Sequence, residues 1–545
     1  MSDRSTARRG GLLAGALLLV GALTACGVDA VPTGEGTPLT GGTITYGHDQ
    51  EPPCLYGGWI QQAYLSRQFL DSLVSQDDDG EIVPWLADAW EVSDDQLTWT
   101  FTLREGVRFS DGTPLDARAV SRNFEFWLDE QGNGTVGAYL ADYYETSRAV
   151  DPTTFELSLS RPYTPLLSAL SQAYFGIQSP TALARGPEAN CEQPVGSGPF
   201  VVEEWRRGDG VTFTRNPDYQ WGPANARHQG PAHVERLVWK FLHDPVARYG
   251  SLTSGETDVI YDVPTPEWSR AQELFQVEQY ITPGRPVSLA LNTVKGPFTD
   301  LRVRQAFAHA GDREGSVRSA FNGVIPFEGN GSVSQSTPGY DPDAADDYPY
   351  DPERANALLD EAGWTEFNDD GYRVRDGEEL RITLVYGAGY VFTPEGATML
   401  QNLQAQVKEV GFHVTLIPAT QAEILSGTYA GPDAYDAYPS YWTSPTAGIL
   451  YITFRQDLPE KPNKSNSQFY NNPELEELIV RANSAATRAE ADELYGRAQR
   501  LISDEAATLG LYTQTTSLAV ARDLKDVWIE DSQGEPVFHD AYFVR

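Results

Sequence analysis

Seven histidines stand at positions 48, 228, 233, 243, 309, 413 and 539. Imidazoles three to five residues apart could hold a metal ion, as in HExxH, because such neighbours share one helix face. No HExxH or other close-packed metal motif occurs, and His228 and His233 are five apart within the Pro/Gly-rich "HQGPAH". No metal ligand set is therefore expected. Met399 is the only methionine besides the initiator, so a thioether site is not expected either. Nucleophilic chemistry is equally poorly served, since there is no GxSxG elbow and no glycine-rich phosphate cradle. The acidic runs Asp77-Asp78-Asp79 and Asp346-Asp347 have the character of solvated turns rather than of paired catalytic carboxylates. What remains is binding chemistry. The stretch "YDAYPSYWTSPTAGILY", residues 435 to 451, gathers Tyr435, Tyr438, Tyr441 and Trp442. Such flat rings with one polar edge stack on peptide side chains and equally on the apolar faces of sugars. Packing in a core would explain any one of these tyrosines as well. Trp59, Tyr64 and Tyr390, on loops or element ends, and Glu51, in the loop after the first strand, are further ligand-binding candidates.

Formal net charge is -37 over 545 residues. A surface so acidic repels phosphate backbones and anionic headgroups, which excludes nucleic acid as a partner. The N-terminus reads "RSTARRGGLLAGALLLVGALTAC", a basic start, an apolar centre and small residues at its end, which is the anatomy of an export signal. Its apolar run is shorter than the ~20 residues that span a bilayer. Leu23-Thr24-Ala25-Cys26 resembles the bacterial lipobox, which implies cleavage before Cys26, lipid on its thiol and an anchored mature chain. A plain secretory signal with an adventitious cysteine is the alternative. Cys54 and Cys191 are the only other thiols, and outside the cytoplasm the two are expected to form one disulfide.

The elements that must position these residues alternate between strand and helix. Residues 27 to 40, "GVDAVPTGEGTPLT", lack apolar periodicity and read as a flexible leash reaching about 20 Å. "GGTITYG" is a first strand. "LTWTFTLR" places Trp99, Phe101 and Leu103 on one face against threonines on the other, and "TFELSL" repeats that pattern. Asp116 caps a helix carrying Val120, Phe124, Trp127 and Leu128 at helical spacing. Asp351, Pro352 and Gly363 mark both ends of a second helix. "LRITLVYGAG", "ATMLQNLQAQVKEV" and "FHVTLIP" form a strand, helix, strand unit, which requires parallel pairing. After the signal about 520 residues remain, more than one hydrophobic core can use, so an α/β protein of two or more lobes is expected.

Five stretches in order resemble the extracytoplasmic solute-binding proteins of ABC importers, family 5, the dipeptide, oligopeptide and nickel-binding group. They are "GGTITYGHDQEPPCL", "FLDSLVSQDDDGEIVPWLADAWEVSDDQLTWTFTLREGVRFSDGTPLDARAV", "VGSGPFVVEEWRRGDGVTFTRNPDY", "LALNTVKGPFTDLRVRQAFAHAGDRE" and "YDPERANALLDEAGW". The resemblance implies a two-lobed periplasmic-binding-protein-like α/β fold, type II, whose lobes hinge on two crossing strands and close on ligand. It implies residues 1–25 as signal peptide and 26–40 as lipidated cysteine and linker. Lobe I would be 41–285 plus 512–545, with a subdomain at about 63–184, and lobe II 286–511. It implies a monomeric, non-enzymatic receptor without cofactor that hands a peptide to an ABC permease from the outer face of the cell membrane. By position, Trp442 falls where peptide-binding relatives keep a tryptophan against ligand, with Tyr441, Thr443 and Ser444 beside it. Those relatives commonly carry an aspartate soon after, pairing with the peptide amine. Here Thr443-Ser444-Pro445-Thr446 stands in its place, and a buried ammonium without a counter-charge is costly. Glu51 is one candidate to substitute. An oligosaccharide, opine-like compound or metal chelate is the alternative cargo, and a secreted hydrolase the alternative from a different class.

Overall fold

The computed structural model describes residues 38–55, 65–77, 79–128, 135–345, 347–389, 391–530 and 534–544. Cys26, most of the leash, Trp59, Tyr64 and Tyr390 lie outside the described residues.

Short apolar runs of β-branched and aromatic residues build two principal sheets. In the first, seven strands are ordered Gln276–Ile281, Thr515–Val520, Val259–Tyr261, Thr43–His48, Arg236–Phe241, Gly210–Arg215 and Phe200–Arg206. Thr43–His48 runs parallel to both its neighbours, while the strands beyond them pair antiparallel. Its core gathers Ile44, Tyr46, Phe213, Leu237, Trp239 and Leu518.

The second sheet has five strands, ordered His413–Ala419, Arg381–Gly387, Ala437–Thr443, Gly284–Leu291 and Thr508–Tyr512. Arg381–Gly387 pairs parallel with His413–Ala419 in unbroken register, joined through the helix Pro394–Lys408, as the strand, helix, strand pattern requires. Val287, Leu289 and Leu291 lead its core, with Phe307, Leu359, Met399 and Leu403 from the covering helices. Gly284–Leu291 is buried at every position, the mark of a central strand covered on both faces.

Between these sheets the chain passes twice, at 282–283 and at 513–514. The two passages lie side by side, for the Thr282 N–H donates to the Gln514 carbonyl at 2.9 Å. Gly284 opens the first passage at φ +115°, and a Cβ there would sit 2.2 Å from the Trp442 carbonyl. Only glycine permits that approach.

A third, antiparallel sheet is ordered Ala87–Val92, Thr98–Leu103, Thr154–Leu159 and Tyr144–Ala149. Phe101, Leu103, Phe155, Leu157 and Leu159 point inward, the alternation legible in the sequence. Helix Ala117–Leu128 covers it, started by Asp116 Oδ1, which accepts from the backbone N–H groups of Arg118 and Ala119. The core of this unit continues without a break into Ile449, Leu450, Leu478, Leu494 and Ile502, on helices that follow the second sheet's strand Ala437–Thr443. Helix Pro352–Glu361 is capped by Asp351, and Gly363 follows its end at φ +85°. Cys54 and Cys191 form a disulfide with Cα atoms 4.8 Å apart, closing a separation of 137 residues. No helix among the described residues is long and apolar enough to cross a membrane.

Candidate functional site

Strand Ala437–Thr443 is held on one side by Gly284–Leu291, with Trp442 opposite Arg285 and Thr443 opposite Gly284. Successive side chains on a strand face opposite ways, and the aromatic residues of this one divide accordingly. Tyr438 packs with Tyr435, ring centroids 5.1 Å apart, in a small cluster with Val385 and Ala419. It belongs to packing. Tyr441 lies against the second sheet's core, whereas Trp442 lies against the core of the third-sheet unit. The structure therefore splits the candidate aromatic group instead of gathering it.

Around Trp442, residues distant in sequence converge. The Tyr139 hydroxyl donates to the Thr443 carbonyl at 3.2 Å, and the Tyr174 hydroxyl meets Thr443 Oγ1 at 3.2 Å. Ser444 is fully buried; its N–H donates to the Pro283 carbonyl and its hydroxyl to the Thr446 carbonyl. Trp442 Nε1 and the amide of the fully buried Gln172 both come near the Tyr139 hydroxyl without hydrogen-bond geometry. Buried polar groups are ordinarily satisfied, and these atoms make the surroundings of Trp442 a candidate for ligand contact. Burial pushes the Tyr139 hydroxyl up to about 12, against the opposing pull of Ser444, Gln172 and Trp442, so it is a neutral donor at physiological pH. Tyr139, Tyr174 and Gln172 were not singled out by the sequence, because nothing local marks a contact made across some 300 residues of chain.

Tyr441 faces different chemistry. Its neighbours by charge are Tyr261 of the first sheet and Tyr512 of the second. Beside them Asp49 and Asp262, from the first sheet's loops, share their field with Glu395, in the first turn of Pro394–Lys408. Partial desolvation, with the side chain still 41% exposed, pushes the Asp262 carboxyl up to about 6; Asp49 and Glu395 add to the rise, and Arg248 and His48 oppose it. Asp262 itself is held at φ +54°, a conformation uncommon outside glycine and found at constrained positions. Two of these acids have basic neighbours as well, Arg248 Nη2 3.9 Å from Asp262 Oδ2 and His48 Nδ1 3.4 Å from Asp49 Oδ1.

Glu51 stands elsewhere. Its Oε1 accepts from Trp205 Nε1 at 3.1 Å and its Oε2 from the Gly208 N–H at 3.0 Å, so both oxygens serve the first-sheet hairpin. Cys54 and Cys191 lie beside that hairpin's loop, where Arg207 donates to the Pro53 carbonyl.

A further set of contacts joins the third-sheet unit to the helices after Thr443. Asp142 Oδ2 accepts from the Tyr451 hydroxyl at 2.8 Å and pairs with Lys461 at 3.0 Å, while Arg161 donates to that same hydroxyl at 2.8 Å. The Asn483 amide donates to the Tyr143 hydroxyl at 2.7 Å, and its backbone carbonyl accepts from the Thr164 N–H.

The family model of the bacterial extracellular solute-binding proteins, family 5 Middle, matches residues 81–468. The nickel-binding periplasmic protein of Escherichia coli (strain K12) is 30% identical over 373 residues, covering 67% of this chain and 68% of the relative. The glutathione-binding protein GsiB of Shigella flexneri serotype 5b (strain 8401) is 26% identical over 485 residues, covering 86% and 88%. Among solved structures, NikA from Brucella suis in complex with Fe(III)-EDTA is similar with a TM-score of 0.78 at 25% identity, covering 92% of this chain and 100% of that one.

Proposed function

Because the chain belongs to the bacterial extracellular solute-binding proteins of family 5, which are transport receptors of ABC importers and not enzymes, we propose that its cargo is a peptide with a free amine. The observation that carries this reading is Asp262, held at φ +54° with a raised carboxyl that feels the charge of Asp49 and Glu395. These acids supply the counter-charge that Thr443-Ser444-Pro445-Thr446 lacks, and an ammonium set among them relieves their mutual repulsion. The peptide then extends toward Trp442, where Gln172 and the indole N–H take up its backbone polar groups. The relative GsiB, named for glutathione, itself a peptide, is in keeping with this cargo.

Capture proceeds by closure about the paired passages at 282–283 and 513–514, with lobe I and lobe II as the moving bodies. Ligand contacts made only in the closed state shift the population, and a hundredfold preference corresponds to about 2.7 kcal/mol. The receptor acts as a monomer, tethered by lipid on Cys26 beside its permease.

A metal chelate or opine is the second reading, favoured by the 30% identity to a nickel-binding relative. Such anionic cargo sits poorly among three carboxylates. Thermal unfolding of the mature chain with free peptides, the same peptides N-acetylated, and metal chelates, opines and oligosaccharides tests the choice. Stabilisation by free peptides alone is the expected outcome, and stabilisation by chelates, opines or sugars alone overturns it. For the anchor, Cys26→Ser is expected to release the protein from the membrane fraction; continued sedimentation with membranes overturns the lipoprotein reading.

A further inference from the structure

His228 and His539 lie 311 residues apart in sequence, yet the fold sets them together with Asp540. His228 belongs to the loop between strands Gly210–Arg215 and Arg236–Phe241, and His539 and Asp540 follow the strand Glu535–Val537 near the end of the chain. This is the first-sheet side of the molecule, and the contacts of these three residues are made within it. His228 is partly exposed, while the side chains of His539 and Asp540 are 3% and 2% exposed.

The proton positions are constrained by the neighbours. His539 Nε2 lies 2.8 Å from the Gly230 carbonyl, which only accepts, so Nε2 carries the hydrogen. His539 Nδ1 lies 3.2 Å from Asp540 Oδ1. His228 Nε2 lies 3.5 Å from that same oxygen and 3.3 Å from the His539 backbone carbonyl, to which it donates in the metal-free protein. Asp540 Oδ1 is buried and faces these two imidazoles, while Oδ2 accepts from the Arg227 N–H at 3.0 Å. Two imidazole nitrogens and a buried carboxylate oxygen thus lie within 4.8 Å of one another.

We propose that His228 Nε2, His539 Nδ1 and Asp540 Oδ1 bind one divalent transition-metal ion of the zinc type, with a fourth position open to water. Tetrahedral bonds of about 2.0–2.1 Å separate ligand atoms by about 3.3–3.4 Å, and the two separations above bracket that value. The Gly230 carbonyl supplies the outer hydrogen bond that orients a metal-ligating imidazole. Binding displaces the proton that His228 Nε2 otherwise donates to the His539 carbonyl. Gly222 completes the arrangement, because a Cβ there would stand 3.1 Å from His539 Cε1 and 2.9 Å from the His228 carbonyl. A bound ion ties the last residues of the chain to the 216–235 loop.

The test uses the mature chain without an affinity tag, stripped of metal and titrated with Zn2+ and with Co2+ alone. Uptake of one ion per chain is expected, with a rise in the unfolding midpoint and, for Co2+, the visible absorption of a four-coordinate site. His228→Gln, at the accessible edge, is expected to weaken binding by at least about tenfold and to abolish the midpoint rise, while His309→Gln leaves both intact. Asp540→Asn serves as a second variant. Failure of the wild-type chain to take up either ion overturns the proposal, as does uptake that His228→Gln leaves unchanged. A pair of His539 and Asp540 joined by a proton alone would give the first of those results.

Discussion

The buried Gln172 amide makes no hydrogen bond of good geometry inside the protein, an arrangement that costs about 1–3 kcal/mol relative to an apolar side chain of similar shape. Gln172→Leu is therefore expected to stabilise the ligand-free protein and to weaken ligand binding, opposite signs that urea unfolding and calorimetry read separately. Trp442→Ala is expected to lower ligand affinity at least about tenfold and, because the ring also packs against the third-sheet core, to cost about 1–3 kcal/mol of stability. Asp262 supplies a pH signature. Its carboxyl is raised from 3.8 to about 6 in the folded protein, so the native state binds the extra proton. Stability is thus favoured below the unfolded value and declines as pH rises from about 4 to about 6. Asp262→Asn is expected to flatten that decline in a pH series of unfolding curves, and to remove the gain in peptide affinity on passing from pH 5 to pH 7. Trp442 is a candidate in the sequence because its place in a recognisable stretch singles it out, and the structure sets it on the strand Ala437–Thr443. Its partners are not legible in the sequence, since Gln172 and Tyr139 owe their role to a meeting of distant segments that no local pattern encodes.

Among the elements, those whose ends carry chemical marks were readable. Asp116 and Asp351 cap the helices their spacing indicated, and the alternation in "LTWTFTLR" gives the strand Thr98–Leu103. The passages between sheets were not so marked, because Gly284–Leu291 is buried throughout and offers no alternation to read. Its first residue is the sensitive one. Gly284→Ala forces a Cβ onto the Trp442 carbonyl at a positive φ and is expected to destabilise by more than about 2 kcal/mol, measured by denaturant unfolding. The contacts between the third-sheet unit and the helices after Thr443 carry a different expectation. Asp142 is drawn in two directions, burial raising its carboxyl while Lys461 and Tyr451 lower it further, and the net shift is downward. Asp142→Asn removes the pairing with Lys461 and Arg455 together. If that contact forms on closure, small-angle scattering of the ligand-free variant shows a larger radius of gyration than the wild type; an unchanged radius means that both sides travel as one body.

For the whole molecule, two cysteines 137 residues apart bear on stability, because a bridge over so long a loop restricts the unfolded chain. Reducing it is expected to lower the unfolding free energy by up to about 5 kcal/mol, read from urea curves with and without reductant. The α/β class followed from the sequence because strands and helices alternate along it. The order of strands did not, since parallel neighbours such as Thr43–His48 and Arg236–Phe241 are joined by long excursions whose return point is set by packing alone. One consequence of that order concerns the birth of the protein. Thr515–Val520 lies inside the first sheet, between Gln276–Ile281 and Val259–Tyr261, and is buried at every position. A nascent chain has long since produced the other six strands when this one is made, and until then two of them lack their common neighbour. Contacts of such sequence separation form slowly. A polypeptide bound for the far side of a membrane gains from that delay, because its earliest domain stays incomplete, and so threadable, until nearly all of it has been synthesised.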